Sequence, residues 1–173
     1  MNFNNFRLRN GYYLLTIALP VFILDQITKV WAINRLKGGD RIIVFESWWS
    51  FVYAENRGAL WGLGGNLPEF YRKLIFLGFS TLVTLVIVYL LFTYAENVIL
   101  RLVFAFVIGG AAGNLYDRFY RGYVVDFIDW HAAGHYHWPT FNIADAAIVV
   151  SIVLLAIETL FLQQKQDTKG DKK

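Results

Sequence analysis

The sequence predicts a polytopic α-helical membrane protein, with four transmembrane helices and a small β-sheet at the membrane surface. Hydrophobic residues make up 57% of its 173 residues, and the mean hydropathy is +0.43. Both values are too high for a soluble domain of this length. The apolar residues also fall into four long runs, and a helix needs about 20 of them to cross a bilayer. The chain is therefore treated as one integral membrane domain.

The four runs differ in polarity and in small-residue content. The first follows a basic start, but its length and its lack of a small-x-small site favour a retained span over a cleaved signal peptide. Pro20 should kink it. The second has no ionisable residue after Lys73 and should face lipid, whereas small residues at 109–113 allow close packing of the third. The predicted spans cover residues 12–33, 71–93, 98–118 and 141–162.

The segments between the spans have a different composition. Residues 41–53 are rich in β-branched and aromatic side chains, which favours one or two short strands. Trp48 and Trp49 suit a membrane–water boundary. We place the sheet within residues 34–68 and 119–140, and we predict a disordered polar tail over residues 163–173.

Charge and cysteine content exclude several classes of function. The formal net charge is +3, but the basic residues are dispersed, so we expect no nucleic-acid partner. There are no cysteines, which excludes disulfides, thiolate metal sites and a cysteine nucleophile. Lysine and arginine are similarly abundant on both sides of the predicted spans, so the positive-inside rule does not set the orientation.

Polar residues inside or beside the spans are the main functional signal. An ionised group at the bilayer centre costs from about 2.5 kcal/mol to about 10 kcal/mol or more, so such groups usually line a protein interior or a wet cavity. In the predicted topology they all converge on one membrane face. The residues concerned are Asp25, Asn114, Asp117, Arg118, Asn142 and Asp145.

Two acidic side chains at this face could hydrolyse a peptide bond. Two adjacent carboxyl groups cannot both ionise cheaply, so one retains a proton while the other activates water. Asp145 is one candidate, and Asp126 or Asp129 in the preceding loop is the other. Asparagine amides and Arg118 could hold the carboxylates or a developing oxyanion. The residues alone do not choose between Asp126 and Asp129.

Each of these acidic residues also has a purely structural interpretation. Asp145 could be a first-turn carboxylate with Asn142 as the helix cap. Asp126 could be a loop carboxylate bonded to Arg118 or Arg121. Asp25 and Lys29 are four residues apart on one helix face and could pair.

Two further groups of residues are weaker candidates. Asn56 and Arg57 lie in a polar insert and could reach the site or a lipid headgroup, or form a solvated turn. The three histidines, His131, His135 and His137, invite a metal interpretation through the His-x-His pair. Because the segment lacks an HExxH pattern, we favour interfacial loop histidines and expect no metal or other cofactor.

Five motifs, in order and in register, resemble those of the bacterial lipoprotein signal peptidase (signal peptidase II) family. They are DQITK from Asp25, ENRGALWG from Glu55, GGAAGNLYDR from Gly109, VVDFID from Val124 and FNIAD from Phe141. Together they extend from the first span to the fourth. The resemblance therefore covers nearly the whole chain.

The resemblance implies four transmembrane helices plus a small extracytoplasmic β-sheet, cytoplasmic termini and an active site near the outer face of the bacterial inner membrane. It implies an aspartic endopeptidase that cuts a prolipoprotein before its diacylglyceryl-modified cysteine. The implied partners are that substrate, membrane lipids and cyclic-peptide inhibitors of the family, and we expect a monomer. The competing interpretation is a proton-coupled carrier, which the lack of an internal repeat disfavours.

The resemblance also implies roles for individual residues. Asp126 and Asp145 match the catalytic pair, and Asp129 falls outside the match. The matching supporting positions are Asp25, Asn56, Asn114, Asp117, Arg118 and Asn142.

Overall fold

The structure, a computed structural model, consists of long helices with one small sheet at one end of the bundle. It describes residues 3–58, 64, 66–132 and 136–170. Two π-helical segments, Leu14–Ala18 and Lys73–Gly78, interrupt the first and second long helices. The helices and strands are α1 (Phe3–Tyr13), α2 (Leu19–Leu36), β1 (Ile42–Phe45), β2 (Trp49–Asn56), α3 (Glu69–Arg72), α4 (Phe79–Tyr94), α5 (Val98–Tyr120), β3 (Val124–Ala132), β4 (Tyr136–His137) and α6 (Ile143–Gly170).

Four helical stretches of the described chain are long and apolar enough to cross a membrane, which confirms the predicted fold class. In the stretch that runs from α3 to α4, only 6% of the most apolar part is buried inside the protein. Water does not solvate such a surface favourably, so this helix faces lipid as predicted. The four stretches are Leu8–Leu36, Glu69–Tyr94, Val98–Tyr120 and Ile143–Phe161.

Two predicted boundaries differ from the structure. The first long helix begins at Phe3 rather than at residue 12, and the turn before Pro20 is widened into the π-helical segment. The last helix continues to Gly170, so the predicted disordered tail is wrong for residues 163–170. Glutamine and lysine are good helix formers, and they extend the helix beyond its apolar part. Residues 171–173 lie outside the described chain.

Helix α5 lies at the centre of the bundle and packs on α2, α4 and α6. Its glycines permit this, as predicted, because a side chain would collide with the neighbouring helices. A Cβ atom on Gly109 would lie 2.6 Å from the carbonyl oxygen of Ala18, and one on Gly110 would lie 2.5 Å from that of Ala144. The small residues therefore bring three spans within reach of one another's side chains.

The four strands form one antiparallel sheet in the order β1-β2-β3-β4. The predicted sheet is confirmed, and both inter-span segments contribute to it. In the β2–β3 ladder Ala54 lies opposite Asp126, and Ser50 lies opposite Asp129. Val125 and Phe127 of β3 pack with the end of α2 in one hydrophobic cluster. The sheet is thereby fixed at the end of the bundle where the spans carry their polar residues.

Candidate active site

The polar residues predicted from the sequence do converge at the sheet end of the bundle. Helix α2 contributes Asp25, α5 contributes Asp117, β3 contributes Asp126, and the start of α6 contributes Asn142. Their exposed fractions are only 0 to 2%. So many buried polar groups require partners among themselves, since water does not reach them.

Lys29 joins two of the acidic residues and one amide. Its Nζ lies 2.8 Å from Oδ2 of Asp25 and 2.9 Å from Oδ2 of Asp117, and it donates to Oδ1 of Asn114 at 2.9 Å. The side chains of the lysine and of both acids have no exposed surface. The predicted pairing of Asp25 with Lys29 is confirmed, and the structure adds Asp117 to it.

Gln26, which no sequence pattern indicated, and Arg121, which was considered only as a partner of Asp126, complete this group. Arg121 forms an ion pair with Asp117 and donates to Oε1 of Gln26 at 3.0 Å. Nε2 of Gln26 donates to Oδ2 of Asp25 at 3.0 Å and to the carbonyl of Gly113 at 3.2 Å. Two carboxylates are thus balanced by two basic side chains. The local signals were the position of Gln26 next to Asp25 and the i, i+4 spacing of Asp117 and Arg121.

The same two carboxylates also accept backbone N–H groups from other elements. Oδ1 of Asp25 accepts from the N–H of Ala144 at 3.0 Å, which ties α2 to the start of α6. Oδ2 of Asp117 accepts from the N–H of Val125 at 3.1 Å, which ties α5 to β3. Asp25 and Asp117 therefore position the two elements that carry Asp145 and Asp126.

The orientation of two asparagine amides follows from their neighbours. Lys29 can only donate, so its contact fixes Oδ1 of Asn114 and turns Nδ2 of that amide toward Asp145, to which it donates at 2.8 Å. Oδ1 of Asn142 accepts from the backbone N–H of Asp145 at 3.0 Å, which turns its Nδ2 toward Asp126 at 2.6 Å. Each amide thus presents a donor to one carboxyl group.

Asp126 and Asp145 form the second pair of carboxyl groups. Oδ2 of Asp126 also accepts from Nδ2 of Asn56 at 3.1 Å. Among the described contacts, both carboxyl groups receive hydrogen bonds only from neutral donors. Burial and the nearby charge of Asp145 raise the pKa of Asp126 to about 7. This carboxyl group is therefore harder to ionise than an ordinary aspartate side chain.

Asp145 also has the structural role considered for it. Asn142 precedes α6, and besides accepting from the N–H of Asp145 it donates its own N–H to Oδ2 of that residue at 3.3 Å. This reciprocal arrangement is a capping box. Oδ1 of Asp145 still faces Asn114. The capping contact therefore holds Asp145 in place without using the carboxyl oxygen that points into the site.

Two basic side chains considered for the site, Arg118 and Arg57, form their hydrogen bonds with other groups. Arg118 donates to the carbonyl of Gly58 at 3.3 Å, and its charge acts on Asp145 and Asp126. Arg57 pairs instead with Glu55 at 3.0 Å, and 56% of its side chain is exposed. Asp126 therefore bonds to neither Arg118 nor Arg121, contrary to the structural alternative considered for it.

Asp129, the other candidate for the pair, points away from Asp145. It lies three positions after Asp126 along β3, so the two side chains face opposite sides of the sheet. It accepts from Ser50 at 2.9 Å and from Arg41 at 3.1 Å. Of the two candidates, Asp126 is therefore the one that contacts Asn142 at the start of α6.

The four spans and the buried carboxyl groups define a polytopic membrane protein with a candidate acid–base site. A model of one protein family, described as signal peptidase (SPase) II, matches residues 17–161. The chain belongs to this family of peptidases, as its sequence motifs predicted.

Individual relatives agree with this assignment. The lipoprotein signal peptidase of Dichelobacter nodosus is 37% identical over 156 residues, which cover 90% of this chain and 97% of the relative. That of Clostridium tetani is 40% identical over 162 residues, covering 92% and 97%. Two solved structures of a bacterial membrane enzyme, at 2.3 and 1.9 Å, superpose with TM-scores of 0.72 and 0.73 at 30% and 31% identity. They cover 87% of this chain, and 88% and 93% of their own.

Proposed function

We propose that this protein is an aspartic endopeptidase that removes signal peptides from prolipoproteins, with Asp126 and Asp145 as its catalytic residues. Membership in the signal peptidase II family supports the reaction and the substrate class. One observation carries the choice of residues. Asp126, which is buried, and Asp145, which is half-buried, both receive hydrogen bonds from neutral amides, and burial together with the charge of Asp145 raises the pKa of Asp126 to about 7.

The reaction needs one protonated and one ionised carboxyl group. The ionised group takes a proton from a water molecule, whose oxygen attacks the scissile carbonyl carbon. The protonated group donates a hydrogen bond to the carbonyl oxygen as negative charge develops there. The tetrahedral intermediate then collapses, the C–N bond breaks, and the leaving amine takes a proton from the pair. Because one proton enters and one leaves, the pair returns to its starting state.

The supporting residues divide into three roles in this proposal. Asn114 and Asn142 hold the two carboxyl groups, and Asn56 reaches Asp126 from β2. Asp25 and Asp117 act indirectly, by positioning α6 and β3. The two arginines lie at the rim: Arg118 adds positive potential near the developing oxyanion, and the exposed Arg57 contacts a lipid headgroup.

An apolar cavity of about 430 Å³ between the first three spans is the proposed seat for the hydrophobic part of the substrate. Leu115 and Phe119 line it from α5, the helix whose Asn114 and Arg118 lie at the carboxyl groups. Apolar burial supplies affinity without specificity for one side chain. The lining residues are Phe22, Leu77, Thr81, Ala112, Leu115, Tyr116, Phe119 and Tyr120.

The number of spans and the substrate support a proposal for the location. A chain that crosses the membrane four times has both termini on one side, and the sheet at the opposite end of the bundle is then on the other. A lipidated cysteine holds the scissile bond at headgroup depth, where the polar end of the bundle lies. We therefore propose the bacterial inner membrane, cytoplasmic termini and an active site near the outer face. Membrane lipids are its surroundings, a monomer suffices, and cyclic peptides that inhibit the family are expected to compete for the site.

The decisive test uses purified protein in nanodiscs with a diacylglyceryl-modified prolipoprotein. Wild type should release the signal peptide immediately before the lipidated cysteine, as read by mass spectrometry. Asp126→Asn and Asp145→Asn should each lower the rate by at least about 10³-fold, because each removes an acid–base group. Asp40→Asn, at an exposed position, is the matched control and should cleave normally. Substantial turnover by either of the first two variants would remove that residue from the pair.

A further inference from the structure

Besides the carboxyl groups at the site, the sheet brings one acidic residue and two histidines together on its other face. His131 of β3 lies directly opposite His137 of β4, and Asp129 precedes His131 by two residues on the same face. One donor atom from each of the three lies within 4.8 Å of the others. The His-x-His pair visible in the sequence is not the one assembled here; His135 lies outside the described residues.

His131 carries a buried nitrogen with no hydrogen-bond partner. Its Nε2 lies 3.2 Å from the carbonyl oxygen of Glu46, which can only accept, so Nε2 carries the proton of the neutral ring. In that ring Nδ1 carries a lone pair, and among the described residues it has no hydrogen-bond partner. It lies 3.4 Å from Oδ2 of Asp129. Two electron-rich atoms face each other at this distance, and a cation between them would relieve the repulsion.

We propose that Asp129, His131 and His137 form a binding site for a divalent transition-metal ion, with Zn²⁺ the best match to the ligand set. Imidazole nitrogen and carboxylate oxygen are ordinary Zn²⁺ ligands. Bond lengths of about 2.0–2.1 Å in a tetrahedral arrangement place neighbouring ligand atoms about 3.3 Å apart. His131 Nδ1 lies 3.4 Å from Oδ2 of Asp129 and His137 Nδ1 lies 2.9 Å from Oδ1, so each imidazole nitrogen faces one oxygen of the same carboxylate at close to this spacing.

The surroundings of the three side chains resemble the outer shell of a metal site. A ligating histidine usually donates its other N–H to a carbonyl or carboxylate, as His131 does to Glu46. Ser50 donates to the carboxylate of Asp129 at 2.9 Å and fixes its orientation. The carboxylate of Asp129 thus faces both histidines with its position already fixed by a neighbouring residue.

Exposure of the three residues gives the ion an entry path. Only 7% of His131 and 4% of Asp129 are exposed, whereas 49% of the His137 side chain is. An ion can therefore reach the three side chains from the side of His137. Arg41 is the competing cation, 3.1 Å from Oδ2 of Asp129, but 44% of its side chain is exposed and it can turn outward. A bound ion would link β4 to β3, the strand that carries Asp126.

The test is a Zn²⁺ titration of full-length protein in nanodiscs, purified without an oligohistidine tag and stripped with a chelator that is then removed. Calorimetry should give one saturable equivalent. Co²⁺ in its place should give the intense visible absorption of tetrahedral coordination. His137→Gln should weaken binding by about 100-fold or more, beyond the 10–100-fold that loss of an outer-shell partner costs. Glu69→Gln, exposed on α3, is the control and should bind as wild type does.

His131→Gln should have the same effect as His137→Gln, and the latter keeps the test valid if the buried substitution does not fold. As a second measurement, Zn²⁺ should raise the melting temperature of wild type and leave that of His137→Gln unchanged, since only binding to the folded state stabilises it. Absence of a saturable equivalent in wild type would overturn the proposal. So would binding that His137→Gln leaves unaltered.

Discussion

Two pairs of carboxyl groups, all buried except the half-buried Asp145, lie near one another in this protein, and they differ in their partners. Asp25 and Asp117 both contact Lys29, and Asp117 also pairs with Arg121. Asp126 and Asp145, in contrast, receive hydrogen bonds from asparagine amides and backbone N–H groups, with no basic side chain in hydrogen-bond contact among the described residues. The first pair is balanced in charge, whereas the second is not.

The difference explains which pair can perform acid–base chemistry. A carboxylate bonded to a lysine is a poor base, because the cation stabilises its ionised form. Two carboxyl groups bonded only to amides have no such cation, and we propose that they share a proton. A shared proton near neutral pH is the requirement for hydrolysis of a peptide bond by water. Lys29 links the pairs, since it fixes the Asn114 amide that donates to Asp145. The balanced pair is thus the support of the reactive one.

Removal of Lys29 should have the largest effect on stability. Lys29→Met leaves Asp25 and Asp117 buried without their common cation, and breaking a buried ion pair typically costs about 3–5 kcal/mol. Chemical unfolding in detergent should show a loss of this size. Lys37→Met is the matched control: its 3.8 Å contact with Glu55 is half exposed, so the loss should be below about 1 kcal/mol. Equal losses in the two variants would contradict the supporting role.

Gly113→Ala tests the same support through packing. A Cβ atom there would overlap the carboxylate of Asp25, at 3.0 Å from its Cγ, so the side chain must move away from Lys29. Overpacking of this kind costs about 1–3 kcal/mol. Gly78→Ala is the control, because its Cβ would meet nothing within 4 Å. Wild-type stability and activity in Gly113→Ala would show that the position of Asp25 is not critical.

Asn142 serves both the helix cap and the reactive pair, and two substitutions separate these functions. Asn142→Ala should cost about 1 kcal/mol of stability through loss of the cap, and serine should restore most of it. Neither residue can donate to Asp126 as the amide does at 2.6 Å. Cleavage should therefore stay low in Asn142→Ser although its stability recovers. Recovery of both would mean that the cap alone matters.

Asn56→Ala should change the pH dependence more than the stability. Its hydrogen bond lowers the pKa of Asp126, which burial and Asp145 raise to about 7. Activity should fall as pH rises through this value, because the pair loses its one proton. Without Asn56 the pKa of Asp126 rises, so the alkaline limb of the rate profile should move to higher pH. Asn34→Ala, exposed on α2, should leave it in place. A limb unmoved by Asn56→Ala would contradict the contact.

The fold was largely predictable because each span is long and apolar, and the strands are rich in β-branched and aromatic residues. The polar site was predictable for a related reason: a charge inside a hydrophobic run is rare enough to stand out, as Asp25 and Asp145 do. The ends of α1 and α6 were not, since polar helix formers continue a helix without any hydrophobic signal. The helical residues 163–170 are the clearest case.

Long-range contacts were the other gap. Arg121 and Gln26 lie far apart in sequence, so their meeting at Asp117 depends on how α2 packs on α5, which the local spacing of each residue does not give. The pairing register of β3 and β4 likewise depends on the turn that joins the two strands, and the sequence does not determine that turn. In the structure this register pairs His131 with His137.

A titration of the aspartate carboxyl groups would show whether Asp126 and Asp145 share a proton. Protein labelled with ¹³C-aspartate would be studied by NMR in nanodiscs across neutral pH, as wild type and as Asp126→Asn. In wild type we expect one carboxyl group to titrate with an apparent pKa of about 7. This titration should be absent from Asp126→Asn. If no aspartate titrates near neutral pH, or if the titration persists in Asp126→Asn, the two residues do not share a proton.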